Sequence, residues 1–158
     1  MIPIDDVEAL KRMAIAMLLG ALVGLEREHA DKPAGIRTCM LVSQGAALFM
    51  LAGLLISREL TLSGQFSDPG RVASTIVQGI GFLAAGVIIT TGRKVRGLTT
   101  AAGIWVVAAI GLLTGAGFLL LAGVATVATV AALYLVKKYF EGGSARDEDQ
   151  ASPPPGFA

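Results

Sequence analysis

The chain has 158 residues, of which 54% are hydrophobic and only 16% are charged, and its net charge is +1. Ordinary soluble domains carry about 25% charged residues, so this composition excludes such a domain and favours an integral membrane protein. The small net charge, dispersed over short loops, also excludes the continuous basic surface of a nucleic-acid-binding protein.

The first apolar segment, Met13–Leu25, is shorter than the roughly 20 residues that span a bilayer as a helix. Charged residues at its ends must therefore approach the membrane. Basic side chains at the start can extend outward along their apolar stems, whereas Glu26 at the end is shorter and needs a partner within the protein. Gly20 and Gly24 form a GxxxG pair, which predicts close packing of this helix against another.

A short loop leads from this segment to the second one, Thr38–Ser57, and Arg37 stands at its start. Because a short loop places two helix ends together, the sequence predicts an ion pair between Glu26 and Arg37 near the membrane boundary. The pair is interpreted either as a structural clamp or as part of a functional site. The single cysteine, Cys39, is interpreted as a small buried hydrophobic residue.

Two glycine-rich apolar segments, Val72–Thr91 and Leu98–Thr114, flank a basic loop and predict a membrane hairpin. Asp68 is expected to cap the helix of the first segment and to meet Arg71, which follows three residues later. The hairpin organises the predicted fold, since small and polar residues mark one face of each arm. These residues are Ser74, Gln78, Gly81 and Ala85 in the first arm and Ala108, Gly111 and Gly115 in the second.

The last apolar segment, Phe118–Val136, is almost wholly aliphatic and is predicted to face lipid. The fold class is therefore an all-α integral membrane bundle of five transmembrane helices over residues 1–140, followed by a disordered cytoplasmic tail at 141–158. Nine of the thirteen basic residues fall on one side, at the first loop, in the basic loop of the hairpin and after Val136. They are Arg27, Lys32, Arg37, Arg93, Lys94, Arg96, Lys137, Lys138 and Arg146. The positive-inside rule then places the N-terminus outside and the C-terminus in the cytoplasm.

Several kinds of site can be weighed from the motifs. The segment Gly92–Thr99 resembles a phosphate-binding loop, but Leu98 replaces the required lysine and a membrane segment precedes it. A metal site built from Glu26, Glu28, His29 and Asp31 is an alternative to a solvated charged loop, which is favoured. The chain shows no serine, histidine and acid arrangement and no HExxH motif, so we predict no catalytic residue, no metal ligand and no cofactor.

Five ordered motifs resemble the membrane domain of the MgtC/SapB family over roughly residues 16–118. They are Gly20–Glu28, Pro33–Thr38, Asp68–Pro69 with Arg71, Gly79–Leu83, and Val95–Ala102 with Trp105. The sequence departs from the family pattern at Cys39, where a histidine is frequent, and at Ala84, where a glycine is usual. We also expect the soluble C-terminal domain of the longer members to be missing here.

The resemblance implies a bacterial inner-membrane protein linked to adaptation to low magnesium and, in some pathogens, to virulence. It also implies regulation of other membrane machinery, including the ATP synthase, rather than enzymatic activity. We expect a homo-oligomer in the lipid bilayer that is a partner of a membrane complex, with transport of magnesium or another small solute as the alternative. The functional polar set comprises Glu26, Arg27, Arg37, Asp68, Arg71, Gln78, Thr99 and Thr100.

Overall fold

The computed structural model describes residues 4–91 and 94–150. Its helices are α1 (Asp6–His29), α2 (Ile36–Leu62), α3 (Gly70–Ala85), α4 (Leu98–Ala116) and α5 (Leu119–Gln150). A two-stranded antiparallel hairpin of β1 (Ile89–Thr91) and β2 (Lys94–Arg96) stands between α3 and α4. The predicted helical class is confirmed, and the small hairpin is an addition to it.

Helices α1, α2 and α4 form the centre of the bundle, where α2 packs extensively along both of the others. They meet around Ser43 of α2, which is fully buried. A Cβ atom on Gly20 of α1 would lie 2.8 Å from Ser43 Cβ, and one on Gly111 of α4 would lie 2.0 Å from the Ser43 carbonyl oxygen. Only glycine permits these approaches, so the small residues of α1 and α4 determine how closely the three helices pack.

Among the described residues, three helices are long and apolar enough to cross a membrane by length and composition: α2, α4 and the Leu119–Val136 part of α5. Helix α1 extends beyond its apolar segment at both ends. Asp5 begins it, because its Oδ1 accepts a 2.7 Å hydrogen bond from the Glu8 amide and so satisfies a free donor of the first turn.

The predicted helical arm Val72–Thr91 is wrong in its second part. Helix α3 ends at Ala85, and Gly86 leads into a β-branched run, whose residues fit an extended strand better than a helix. The strands pair Ile89 with Arg96, so the chain reverses through the hairpin rather than through a loop between two helices. The first two residues of the predicted basic loop, 92–93, lie outside the described residues.

Gly97 closes this hairpin and begins α4. Its φ of +89° lies in the left-handed region, and a Cβ there would lie 2.2 Å from the Val87 carbonyl oxygen. A glycine is therefore required both by the conformation and by the close approach of the two chain segments. The predicted fourth segment is confirmed as α4, which ends at a second left-handed glycine, Gly117.

Helix α5 packs against α1 and α4, but only 11% of its apolar part, Leu119–Val136, is buried, compared with 56% for α4. This exposure agrees with the predicted lipid-facing helix. The backbone is helical to Gln150. The predicted disordered tail at 141–158 thus overlaps the end of α5, and its last part, residues 151–158, lies outside the described residues.

Candidate functional site

The predicted polar residues are divided between the two ends of the bundle. Because successive helices run in opposite directions, the end of α1 meets the starts of α2 and α4, and the end of α2 meets the start of α3. The first end holds Glu26, Arg27, Arg37, Thr99 and Thr100. Asp68 and Arg71 lie at the opposite end, and Gln78 lies between the two ends on α3. The structure therefore does not gather the whole set into one site.

Arg27 is a buried charged residue of the first end, with 4% of its surface exposed. Its guanidinium pairs with the carboxylate of the adjacent Glu26, whose side chain is also largely buried. Arg27 Nη1 is buried with no hydrogen-bond partner in the described part of the chain. The pair is charge-balanced, but its donors exceed its acceptors, and a buried unpaired donor destabilises a fold.

The predicted pair between Glu26 and Arg37 is wrong. Glu26 forms an ion pair with Arg27 instead. Arg37 is exposed and makes no ion pair among the described residues. Glu28 instead bridges the two helices, since its Oε2 accepts a 3.0 Å hydrogen bond from the Ile36 amide at the start of α2. That amide has no acceptor within the helix, so the carboxylate satisfies it and also lies at the positive end of the helix dipole.

The loop residues considered for a metal site have separate roles. Glu26 binds Arg27, Glu28 caps α2, and His29 Nδ1 lies 2.8 Å from the Leu25 carbonyl oxygen. Within residues 4–91 and 94–150, no three side chains of histidine, cysteine, aspartate or glutamate converge on one point. The described geometry therefore offers no ready-made cation site.

Thr99 and Thr100 form the first turn of α4, where Thr99 is exposed and Thr100 is 3% exposed. At the opposite end, Pro69 rather than the predicted Asp68 is the N-cap residue of α3, and Asp68 Oδ1 accepts a 2.8 Å hydrogen bond from the amide of Gly70, the first residue of the helix. Arg71 makes no ion pair with Asp68 in the part of the chain that the structure describes.

The predicted packing residues differ in their surroundings. Gly20, Gly24, Gly111 and Gly115 all lie where a Cβ would come within 3 Å of a neighbouring helix or loop. Gly81 has open space at that position, and Ala85 is exposed. The first four residues close the bundle, whereas Gly81 and Ala85 lie on its outer surface.

Sequence reasoning missed the role of Arg12, which is buried in α1 with 5% exposed. Its Nε donates a 2.8 Å hydrogen bond to Glu8, and its Nη1 donates a 3.0 Å bond to the Gly115 carbonyl oxygen at the end of α4. The spacing of Glu8 and Arg12, four residues apart on one helix, was the available signal. The structure adds the second acceptor, which lies far away in the sequence.

These features define the class of protein, a helical bundle of the membrane type. Its central helices pack closely at glycine residues, and a buried ion pair lies at one end. The sequence profile of the MgtC family matches residues 13–141. The chain belongs to the MgtC family, which confirms the resemblance seen in its motifs.

Curated relatives agree with this assignment. The chain is 46% identical over 123 residues to Protein MgtC of Salmonella typhimurium strain LT2, covering 78% of this chain and 50% of the relative. It is 47% identical over 125 residues to Protein MgtC of Brucella abortus strain 2308, covering 79% and 50% respectively. The matched region is thus about half the length of these relatives, and no solved structure matches the chain.

Proposed function

We propose that this chain is a bacterial inner-membrane protein linked to adaptation to low magnesium, acting as a regulator or partner of a membrane complex such as the ATP synthase. The observation that carries the proposal is membership of the MgtC family over residues 13–141. The matched region spans about half the length of the curated relatives. The proposal therefore concerns the contribution of this membrane part to the function of an MgtC-type protein.

The proposed arrangement in the bilayer has five spans, with the N-terminus outside and the C-terminus in the cytoplasm. Helices α2, α4 and α5 supply apolar spans, and α1 and α3 pack against them within the same bundle. The junction between α1 and α2 and the hairpin before α4 each hold three basic residues, which supports their cytoplasmic placement. They are Arg27, Lys32 and Arg37 at the junction and Arg93, Lys94 and Arg96 in the hairpin.

The close packing at the bundle centre favours a regulator over a transporter. Gly111 and Gly115 of α4 lie directly on the α2 backbone, where an added Cβ would be 2.0 Å from the Ser43 oxygen and 2.6 Å from the Ala47 oxygen. A solute pathway between these helices would require them to separate. The alternative, transport of magnesium or another small solute, therefore needs either a pathway elsewhere in the protein or a conformational change that breaks these contacts.

An affinity purification from native membranes and a flux assay in liposomes separate the two functions. A regulator is expected to retain a membrane complex during purification and to conduct no magnesium when reconstituted alone. Arg37→Ala and Arg71→Ala form a matched pair, since both arginines are exposed but lie at opposite ends. Loss of the complex with the Arg37 variant alone would place the partner at the cytoplasmic end, whereas magnesium flux by the purified protein would support transport.

A further inference from the structure

A cavity at the end of the bundle opposite to Arg27 contains the second buried arginine, Arg12. This space, here called the Arg12 cavity, lies between the start of α1, the last turns of α2 and the turn that joins α4 to α5. The polar side chains that line it are those of Arg12, Ser57, Arg58 and Thr61. Both charged residues of the described lining are thus arginines, a charge pattern that attracts an anion.

Arg12 has hydrogen-bond donors left over for a ligand. Its Nε and Nη1 donate to Glu8 and to the Gly115 carbonyl oxygen, whereas its Nη2 makes no hydrogen bond in the described part of the chain. The Nη2 atom lies 3.0 Å from where a Cβ on Gly117 would stand, and Gly117 also lines the cavity. Because a guanidinium donates but cannot accept, Nη2 requires an acceptor that the described chain does not supply.

Arg58 gives the cavity its net positive charge. Glu8 balances the charge of Arg12, because the two side chains form an ion pair. Arg58 is exposed on α2 and makes no ion pair among the described residues. The hydroxyls of Ser57 and Thr61 already donate to backbone carbonyl oxygens, at 3.2 and 2.8 Å. The free side-chain donors of the cavity therefore belong to the two arginines, whose guanidinium groups fit phosphate oxygens.

The rest of the cavity wall is apolar and continues onto the outer surface of the bundle. Leu55, Leu62 and Phe118 line the cavity and are all exposed. Arg58 is the first charged residue after the apolar segment Thr38–Ser57 of α2. It therefore marks the level at which the hydrocarbon of the membrane gives way to lipid headgroups. The cavity thus combines a cationic part at headgroup level with an apolar wall that faces lipid.

We propose that the Arg12 cavity binds an anionic phospholipid. The lipid phosphate accepts hydrogen bonds from Arg12 Nη2 and from Arg58, and an acyl chain lies along the apolar wall at Leu55. A lipid fits better than a free anion, because its phosphate is concentrated at this level and its chain covers the exposed wall. Basic pockets between transmembrane helices are a general form of lipid headgroup site. This inference goes beyond the proposed function and rests only on the bundle lying in a membrane.

Native mass spectrometry of the purified chain, titrated with defined probes, tests the class of ligand. The probes are phosphatidylglycerol, phosphatidylcholine with the same acyl chains, and glycerol phosphate without chains. We expect phosphatidylglycerol to bind at least about fivefold more tightly than phosphatidylcholine, the fold-change given by one net positive charge at a membrane surface. Equal affinity for the two lipids would overturn the anionic preference. Displacement of phosphatidylglycerol by an equal concentration of glycerol phosphate would overturn the assignment to a lipid and identify a site for a free anion.

Arginine variants in the same titration test the location of the site. Arg12→Met is expected to weaken phosphatidylglycerol binding about tenfold or more, and Arg58→Gln about fivefold. Arg71→Gln is the matched control, because Arg71 is exposed at the same end but is not among the described lining residues, and it should bind as the parent does. Arg58 makes no ion pair among the described residues, so its variant provides the test if Arg12→Met fails to fold. Unchanged binding in Arg58→Gln, or an equal loss in Arg71→Gln, would reject the site whether or not a membrane complex co-purifies.

Discussion

At the scale of single residues, the helix packing depends on glycines at which an added Cβ atom would collide with a neighbouring helix. Gly111 and Gly103 lie on the same helix but differ in their surroundings: a Cβ at Gly111 would meet the α2 backbone, and one at Gly103 would meet nothing within 4 Å. The same substitution at the two sites therefore separates the effect of packing from the effect of glycine on the helix.

Gly111→Ala is expected to destabilise the protein by about 1 to 3 kcal/mol, because the α2 backbone must move to admit the methyl group. Gly103→Ala is the matched control and should be neutral or slightly stabilising, since alanine favours a helix over glycine. Thermal unfolding in detergent measures both. Equal unfolding temperatures for the two variants would contradict the close α2–α4 contact.

Arg12 provides a second test at this scale. Arg12→Met retains much of the side-chain bulk but removes the hydrogen bonds to Glu8 and to the Gly115 carbonyl oxygen, so we expect a loss of about 1 to 3 kcal/mol. The exposed neighbour Lys11→Met is the control and should change stability by less than about 0.5 kcal/mol. A similar loss for both would mean that net charge, rather than the buried contact, determines the effect.

At the scale of elements, the junction between α1 and α2 depends on Glu28. Glu28→Ala removes the acceptor of the Ile36 amide and is expected to destabilise the protein by about 0.5 to 2 kcal/mol, the usual range for loss of a helix cap. Glu28→Gln keeps an oxygen acceptor and should lose less. Chemical denaturation of both variants in detergent measures the difference, and a larger loss for glutamine than for alanine would argue against capping.

A double-mutant cycle on Glu26→Gln and Arg37→Gln tests the neighbouring pair that the structure does not form. The two changes should be additive in stability, because Arg37 is exposed and Glu26 pairs with Arg27. Coupling above about 0.5 kcal/mol would show that the two side chains meet in the membrane after all.

The elements show what the sequence could and could not predict. Long charge-free segments predicted α2 and α4, and the GxxxG spacing predicted the close approach at Gly20. These predictions succeed because they depend on local sequence alone. The β-branched run after Gly86 was read as helix, since apolar character alone does not separate a helix from a strand. The choice of Glu28 over Glu26 as the bridge to α2 depends on the course of the loop, where Asp31 adopts a φ of +51°. Sequence spacing does not reveal that course.

At the scale of the whole molecule, the orientation in the membrane can be tested by labelling. In a Cys39→Ala background, a thiol introduced by Val95→Cys in the hairpin should resist an impermeant reagent in intact cells, whereas one introduced by Gln65→Cys should react. Both positions are exposed, so accessibility depends on the side of the membrane. Permeabilised cells provide the control in which both react, and the reverse pattern in intact cells would invert the proposed topology.

The bond between Arg12 and Gly115 also has a consequence for how the chain is made. Its two residues are 103 positions apart, so at about 5 to 20 residues per second the ribosome delivers the acceptor roughly 5 to 20 seconds after the donor. During that interval, Glu8 is the only hydrogen-bond partner of Arg12 that has been synthesised, because the end of α4 has not yet been made. A stalled chain that stops before Gly115 should therefore be cut by membrane proteases faster than one that includes the turn at Gly117. The stability of α1 in the membrane would then depend on synthesis of the end of α4.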